Sequence, residues 1–321
     1  MVVGERYSVE LSSKVGEARS SNCQSIRLSP EHDVPLWVER LFVEFRTSIP
    51  QLRRLQEAEA WLLNVQRSSK NKAAQSLADS CLERLHLLPW RAAVPGFSDA
   101  VSLTTHHLAT FLTNHWVVDE MMNAGLEWIV RKLSCPSKEG ARNHQDAAIA
   151  NSYFLDGLRT AQAQSSSAYV RRRQSSFDER IASGKVRYLE IPVNIDNRHW
   201  AGIRVDVVEE HAWLRDGINR SAKPDPSHLS LIDWYLSSLL RKTVKLAPIP
   251  PKTRTPRQND GHSCGVLYLT SLANEYFGYD PWSPETAVLA RMNWFCRTSS
   301  WYHWDRLFDV SRALLSCVLV V

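Results

Sequence analysis

At 321 residues, 44% hydrophobic and 23% charged, the chain has an ordinary globular composition and room for one large domain or two smaller ones. Its net charge of +5 is mildly basic, but the basic runs "VRRRQSSFDERIASGKVR" and "KLAPIPPKTRTPR" are not interleaved with aromatic residues, which argues for solvated faces and against a direct nucleic-acid surface. Six scattered cysteines without a C-x-x-C pair argue against a zinc ribbon or a dense disulfide framework. The N-terminus lacks the apolar stretch of a signal peptide, and the apolar "ALLSCVLVV" at the C-terminus is about half of what a membrane span needs. The expected setting is a reducing intracellular compartment, nucleus or cytoplasm, with no membrane association.

Residues 1–29 are polar and Ser-rich without sustained periodicity and read as disordered. Residues 30–90 turn helical. "PLWVERLFVEF", "QLRRLQEAEAWLLNV" and "AAQSLADSCLERLHLL" each repeat apolar residues at helical spacing and predict three helices. Pro89 and Pro95 punctuate the boundary to the main domain, 91–321. A turn precedes a helix from about Val118, and "IANSYFLDGLR" is a short mixed segment. The polar stretch after it reads as an exposed helix and loop.

The period then changes. "KVRYLEIPVNI", "HWAGIRVDVV" and "HAWLRDG" alternate as strands of an antiparallel meander. Pro226 opens a helix, "TVKLAPIP" returns to a strand, and a buried helix follows Cys264 and ends at Gly278, a C-cap signal. The fold class is α+β: a mostly antiparallel central sheet flanked by helices, with an N-terminal helical extension.

Cys264 therefore opens a helix, where the positive end of the dipole favours a thiolate. The competing reading is a buried structural cysteine. A catalytic thiol needs a base, a group to orient the base, and donors for an oxyanion. His199 starts a predicted strand. Asp216 ends the next one, so a hairpin returns it to the side of His199. Gln258 supplies an amide donor and Cys264 its own N–H. Among other candidates, His262 competes as base, and Asp206 and Asp233 compete with Asp216. His106 and His107 read as surface or capping residues.

The order His-Trp, Asp, Gln, Cys-Gly, carried by "HWAGIRVD" at 199–206, Asp216 and "QNDGHSCG" at 258–265, resembles the ubiquitin-like protein proteases. These are the SUMO/sentrin-specific cysteine peptidases of the adenovirus-proteinase type. "WVVDEMMNAGLEWI", "NSYF" at 151–154 and "ARMNWF" at 290–295 resemble further family segments. The resemblance spans about residues 105–300. Ser263 stands where the family has Asp before its cysteine, and Val117 and Val118 replace a usual Leu-Asn.

The resemblance implies a papain-like, adenovirus-proteinase-like fold and a thiol protease or isopeptidase acting after the C-terminal Gly-Gly of a ubiquitin-like modifier, most simply a SUMO-like one. It needs no metal or organic cofactor. It assigns His199, Asp216, Gln258 and Cys264 to catalysis. It sets Trp116 and Trp200 over the last residues of the substrate and Asp119 further out, against the body of the modifier. The partners are the modifier and its conjugates. Two other functions fit the same residues: a non-catalytic module that binds a ubiquitin-like protein, and an acyltransferase that passes the thioester to an amine.

Overall fold

The computed structural model describes residues 5–29, 32–88, 93–94, 96–98, 103–134, 146–164, 176–251 and 255–300. Cys135, Cys317, Pro89, Pro95 and the apolar C-terminal run lie outside them. The chain divides into two compact units, Met1–Gln56 and Glu57–Val321.

In the first unit, α1 (Glu5–Ser20) precedes a two-stranded antiparallel hairpin, β1 (Ser25–Ser29) with β2 (His32–Pro35). The helix forms where the sequence lacks apolar periodicity, because it is built on Glu, Lys and Arg and not on a core stripe. α2 (Leu36–Ser68) follows as one 33-residue helix, where the sequence predicts two; its residues from Glu57 on are counted in the second unit. Pro50 lies inside it, and the hydroxyls of Thr47 and Ser48 both return to the Glu44 carbonyl. Leu41 and Phe45, on the face that helical spacing reads as buried, stay exposed along it, as does Trp37.

In the second unit, α3 (Lys72–Leu87) starts at Asn71, whose side chain accepts from the N–H groups of Ala73 and Ala74. It buries Ala74, Ala78, Cys81 and Leu85. A short helix α4 (Thr105–Ala109) runs into a 3-10 turn, Thr110–Leu112. His107 accepts from the Thr104 N–H, the capping role expected of this histidine pair. α5 (Asp119–Ser134) leads to β3 (Ala147–Ile149), α6 (Phe154–Ala163) and α7 (Ser176–Ala182).

The meander is β4 (Tyr188–Ile195), β5 (His199–Asp206) and β6 (His211–Arg215), antiparallel throughout. Then come α8 (Pro226–Leu240), β7 (Ala247–Pro248) and α9 (Cys264–Phe277). Residues 287–300 form a further helix, α10. The sheet order is β3-β4-β5-β6-β7, and the two short outer strands join the meander in parallel. β7 is cut to two residues within a Pro-flanked stretch, since proline cannot donate to a ladder.

Helices cover both faces, so the strands are nearly continuously buried instead of alternating. On one face Leu155 and Leu158 of α6, Ile181 of α7 and Leu229, Ile232 and Leu236 of α8 pack on Leu189, Ile191, Ala201, Ile203 and Leu214. On the other lie α5 and α9. Here Gly202 of β5 lets the strand meet α9 at ring distance, since a Cβ on it would sit 2.1 Å from Tyr268.

That interface also buries charge. Glu190 of β4 faces Arg204 of β5 at 3.2 Å and Arg215 of β6 at 3.5 Å. Both arginines also pair with Glu275 of α9, and Tyr276 donates to Glu190 at 2.7 Å. Three strands and one helix thus share a single ionic cluster. Removing one member of a buried pair strands the others, at a cost of about 3–5 kcal/mol. Glu190→Gln is therefore expected to lower the unfolding free energy by about that amount in urea titration. A loss too small to resolve would show that the cluster does not hold the sheet to α9.

Candidate active site

Local turn chemistry places His199. Asp196 and Asn197 both have positive φ, at 53° and 54°, and Arg198 N–H closes on Ile195 O at 3.0 Å. Asp and Asn tolerate this left-handed backbone, which makes a tight turn matched to strand twist. β5 starts immediately after it. The second hairpin returns the chain so that Arg215 pairs with Gly202, and Asp216 follows at the strand end.

Asp216 Oδ1 then lies 2.8 Å from His199 Nε2. The same oxygen accepts the N–H groups of Ile218 at 2.7 Å and Asn219 at 3.1 Å. Burial opposes the charge on this carboxylate, but the three hydrogen bonds together hold its pKa below the ordinary value. The imidazole is raised to about 9, first by Asp216, then by its hydrogen bond with Cys264, against partial burial. Because a carboxylate only accepts, Nε2 carries a proton, and Nδ1 is the ring nitrogen left for the thiol.

Cys264 is buried at the first position of α9. Asp260, which sequence reasoning did not single out, builds the loop before it. Its Oδ1 accepts the N–H groups of His262 at 2.9 Å and Ser263 at 2.8 Å, and its Oδ2 takes the Ser263 hydroxyl at 2.7 Å. Ser263 thus belongs to an internal hydrogen-bonded turn. Gln258 is also buried, and its Nε2 donates to Asp260 O at 2.6 Å. Its Oε1 is buried without a partner.

Gly265 explains the Cys-Gly pair. A Cβ there would lie 2.6 Å from the Val117 side chain and 3.1 Å from the Trp200 ring. Trp200 is buried against the helix start, and its Nε1 donates to Val117 O at 2.6 Å. It fixes the segment that carries Trp116, which is 41% exposed, and Asp119, at the start of α5. Burial raises the Asp119 carboxyl above its ordinary value. Asn123 of α5 accepts from Ser152 N–H at 2.8 Å, tying "NSYF" to the same corner.

Arg291 was legible only as part of "ARMNWF". It is buried on α10, and its Nη2 donates to the carbonyls of His115 at 3.1 Å and His262 at 3.0 Å. Nη2 also lies 3.0 Å from His262 Nδ1. One guanidinium thereby clamps the Trp116 segment to the loop before Cys264. Burial lowers its pKa to about 10, against the pull of Asp260 and Cys264, so it remains charged at neutral pH. His262 is held below its ordinary value by burial and by Arg291, and it faces that cation in place of the thiol.

The competing aspartates are engaged elsewhere. Asp206 pairs with Arg187 at 3.3 Å and caps the β5–β6 turn through Val208 and Glu209 N–H. Asp233 accepts from Leu246 N–H. A cleft of about 1150 Å³ opens beside the His199–Asp216 pair, lined also by Asn194, Asp196, Lys223 and His228. Among the described residues no helix is long and apolar enough to cross a membrane.

The sequence pattern of the Ulp1 protease family, C-terminal catalytic domain, matches residues 115–281, just over half of the chain. The chain belongs to the Ulp1 protease family. It is a cysteine peptidase of that family, with the family's α+β fold. Among solved structures, the SUMO protease Ulp1 with its catalytic cysteine oxidised to a sulfinic acid superposes with a TM-score of 0.51 at 15% identity. That superposition covers 73% of this chain and 97% of the other. The C-terminal Ulp1 protease domain in complex with Smt3, the yeast ortholog of SUMO, gives 0.51 at 17% identity, covering 70% and 93%. Among curated proteins none matches the sequence.

For this Ulp1-family chain the raised His199 sets a pH dependence. Its charged form persists above the ordinary value of 6.5 and is lost as pH rises through about 9. The stability that the protonated ring contributes is likewise complete below 6.5 and lost through about 9. Activity that depends on imidazolium should show a basic limb near that value. Asp216→Asn should move the limb toward neutral pH and lower kcat on the order of 10⁴-fold. A pH–rate profile with an unmoved limb would assign the orienting role elsewhere.

Proposed function

We propose that the chain cleaves after the C-terminal Gly-Gly of a ubiquitin-like modifier, SUMO-like in the simplest reading, releasing it from precursors or from substrate lysines. Two features support the reading: the His199–Asp216 contact of 2.8 Å with Cys264 as the second partner of the ring, and Gly265 packed against Val117 and Trp200. Cys264 is assigned as nucleophile and His199 as its base. Asp216 orients the imidazole and stabilises its charged form.

The thiolate attacks the carbonyl carbon of the terminal glycine. The Cys264 N–H, at the helix start, donates to the oxyanion. Gln258 joins it once its carboxamide turns from Asp260, as donors in substrate-free sites often realign on binding. His199 hands its proton to the leaving amine, and water then hydrolyses the thioester. Trp116, 41% exposed, covers the last residues of the substrate in this reading, while Asp119 faces the body of the modifier. The similar solved structures are of the SUMO protease Ulp1 and of its protease domain in complex with Smt3, which supports the same substrate class for this chain.

Trp200 is fixed by its bond to Val117 and packed on Gly265; in this reading it closes with Trp116 over the last two residues of the substrate and leaves no room for a β-carbon there. A precursor ending Gly-Ala is therefore expected to be cleaved at least about tenfold more slowly than one ending Gly-Gly. Cys264→Ser should abolish turnover of both with the fold retained. Cleavage assays with the two precursors test this directly, and equal rates on both would remove the case for a Gly-Gly substrate. Complex formation without any cleavage would favour a binding module instead. Transfer of the acyl group to an added amine in place of water would favour the acyltransferase.

A further inference from the structure

Two cysteines far from Cys264 meet in the second unit. Cys81 lies on α3, and Cys296 lies 215 positions later on α10. Their sulfurs are 3.5 Å apart, close enough for side-chain rotation to reach bonding distance. Cys81 is fully buried and also faces Met292 O at 3.8 Å, whereas Cys296 is partly exposed. Arg84, one turn along α3, donates to the Cys296 carbonyl at 3.4 Å, and Arg297 follows in sequence. A thiol that only filled space would not be set beside a second thiol with two arginines around it.

We propose that Cys81 and Cys296 form a redox dithiol, with Cys296 the thiol that reacts first with a hydroperoxide and Cys81 the thiol that resolves it. The two sulfurs differ in acidity in the direction this order needs. The contact with Cys81 and, against the effect of burial, the charges of Arg84 and Arg297 hold Cys296 below its ordinary value, while that same contact and burial push Cys81 up.

The Cys296 thiolate attacks one peroxide oxygen. The O–O bond breaks, and with a proton from solvent the other oxygen leaves as water, giving a sulfenic acid. Cys81 loses its proton and its sulfur displaces the sulfenic oxygen, which leaves as a second water. Two thiols and one hydrogen peroxide give one disulfide and two waters. The thiols lose two electrons and the peroxide gains them. The new bond ties α3 to α10, the helix whose Arg291 clamps the loop before Cys264.

The test uses the full chain, both unmutated and carrying Cys264→Ser so that the nucleophile does not consume oxidant. Each is treated briefly with hydrogen peroxide at low protein concentration and digested without reductant. The expected product is a peptide pair linked through Cys81 and Cys296, with a mass loss of two hydrogens, reversed by a thiol reductant. The linked protein should melt about 5 °C or more above the reduced form. In Cys81→Ser a sulfenic-acid probe should label Cys296, whereas in Cys296→Ser it should leave Cys81 unlabelled. Two free thiols at 81 and 296 in unmutated chain whose Cys264 is already oxidised would overturn the proposal. So would oxidation of Cys296 directly to sulfinic acid without linkage.

Discussion

The site rests on a buried ionic cluster that it does not itself use. Glu190, Arg204, Arg215 and Glu275 connect β4, β5, β6 and α9, and Tyr276 closes the cluster from the helix. β5 carries His199, the segment after β6 carries Asp216, and α9 begins with Cys264. Glu190, Arg204 and Arg215 were taken out of water and have no solvent to fall back on, so for them only the paired geometry is tolerable. A register slip of one residue in β5 would turn Arg204 away from Glu190 and carry His199 to the opposite face. The same constraint that disfavours misfolding therefore fixes the distance between thiol, ring and carboxylate.

Close packing adds a second layer at Cys264. Gly265 lets Val117 and Trp200 touch the first turn of α9, Asp260 folds the loop before it, and Arg291 pins that loop to the Trp116 segment. Two of these contacts, Gly265 with Val117 and Arg291 with His115, join parts of the chain more than 100 positions apart in sequence. Rigid placement of this kind supplies orientation before any substrate arrives.

Much of this was legible in the residues. Helical periodicity after Cys264 and the terminal Gly278 describe α9 correctly, and alternation marks all three strands of the meander. The hairpin argument that returns Asp216 toward His199 holds to 2.8 Å. Other features were not legible, for physical reasons. The segments "PLWVERLFVEF" and "QLRRLQEAEAWLLNV" read as two helices, yet α2 runs through both and through Pro50, since context overrides local propensity. Leu41 and Phe45 lie on a helical face that periodicity assigns to a core, but they stay exposed. Arg291 acts through a contact with the His115 carbonyl that no local pattern encodes, whereas Asp260 builds a local Asx-type turn that a reading centred on Cys264 passes over. Gln258 was read as a free donor, while its amide is engaged by Asp260.

The central claim is that Cys264 is a nucleophile addressed through the C-terminus of a ubiquitin-like protein. It is tested most directly by incubating the full chain with a panel of ubiquitin-like proteins whose C-terminal glycine bears a thiol-reactive electrophile, and mapping any adduct by peptide mass spectrometry. The account predicts one adduct, on Cys264, that forms with at least one member of the panel and is lost in His199→Ala. Adducts spread over other cysteines, or none with any member while a small alkylating agent still modifies Cys264, would contradict it.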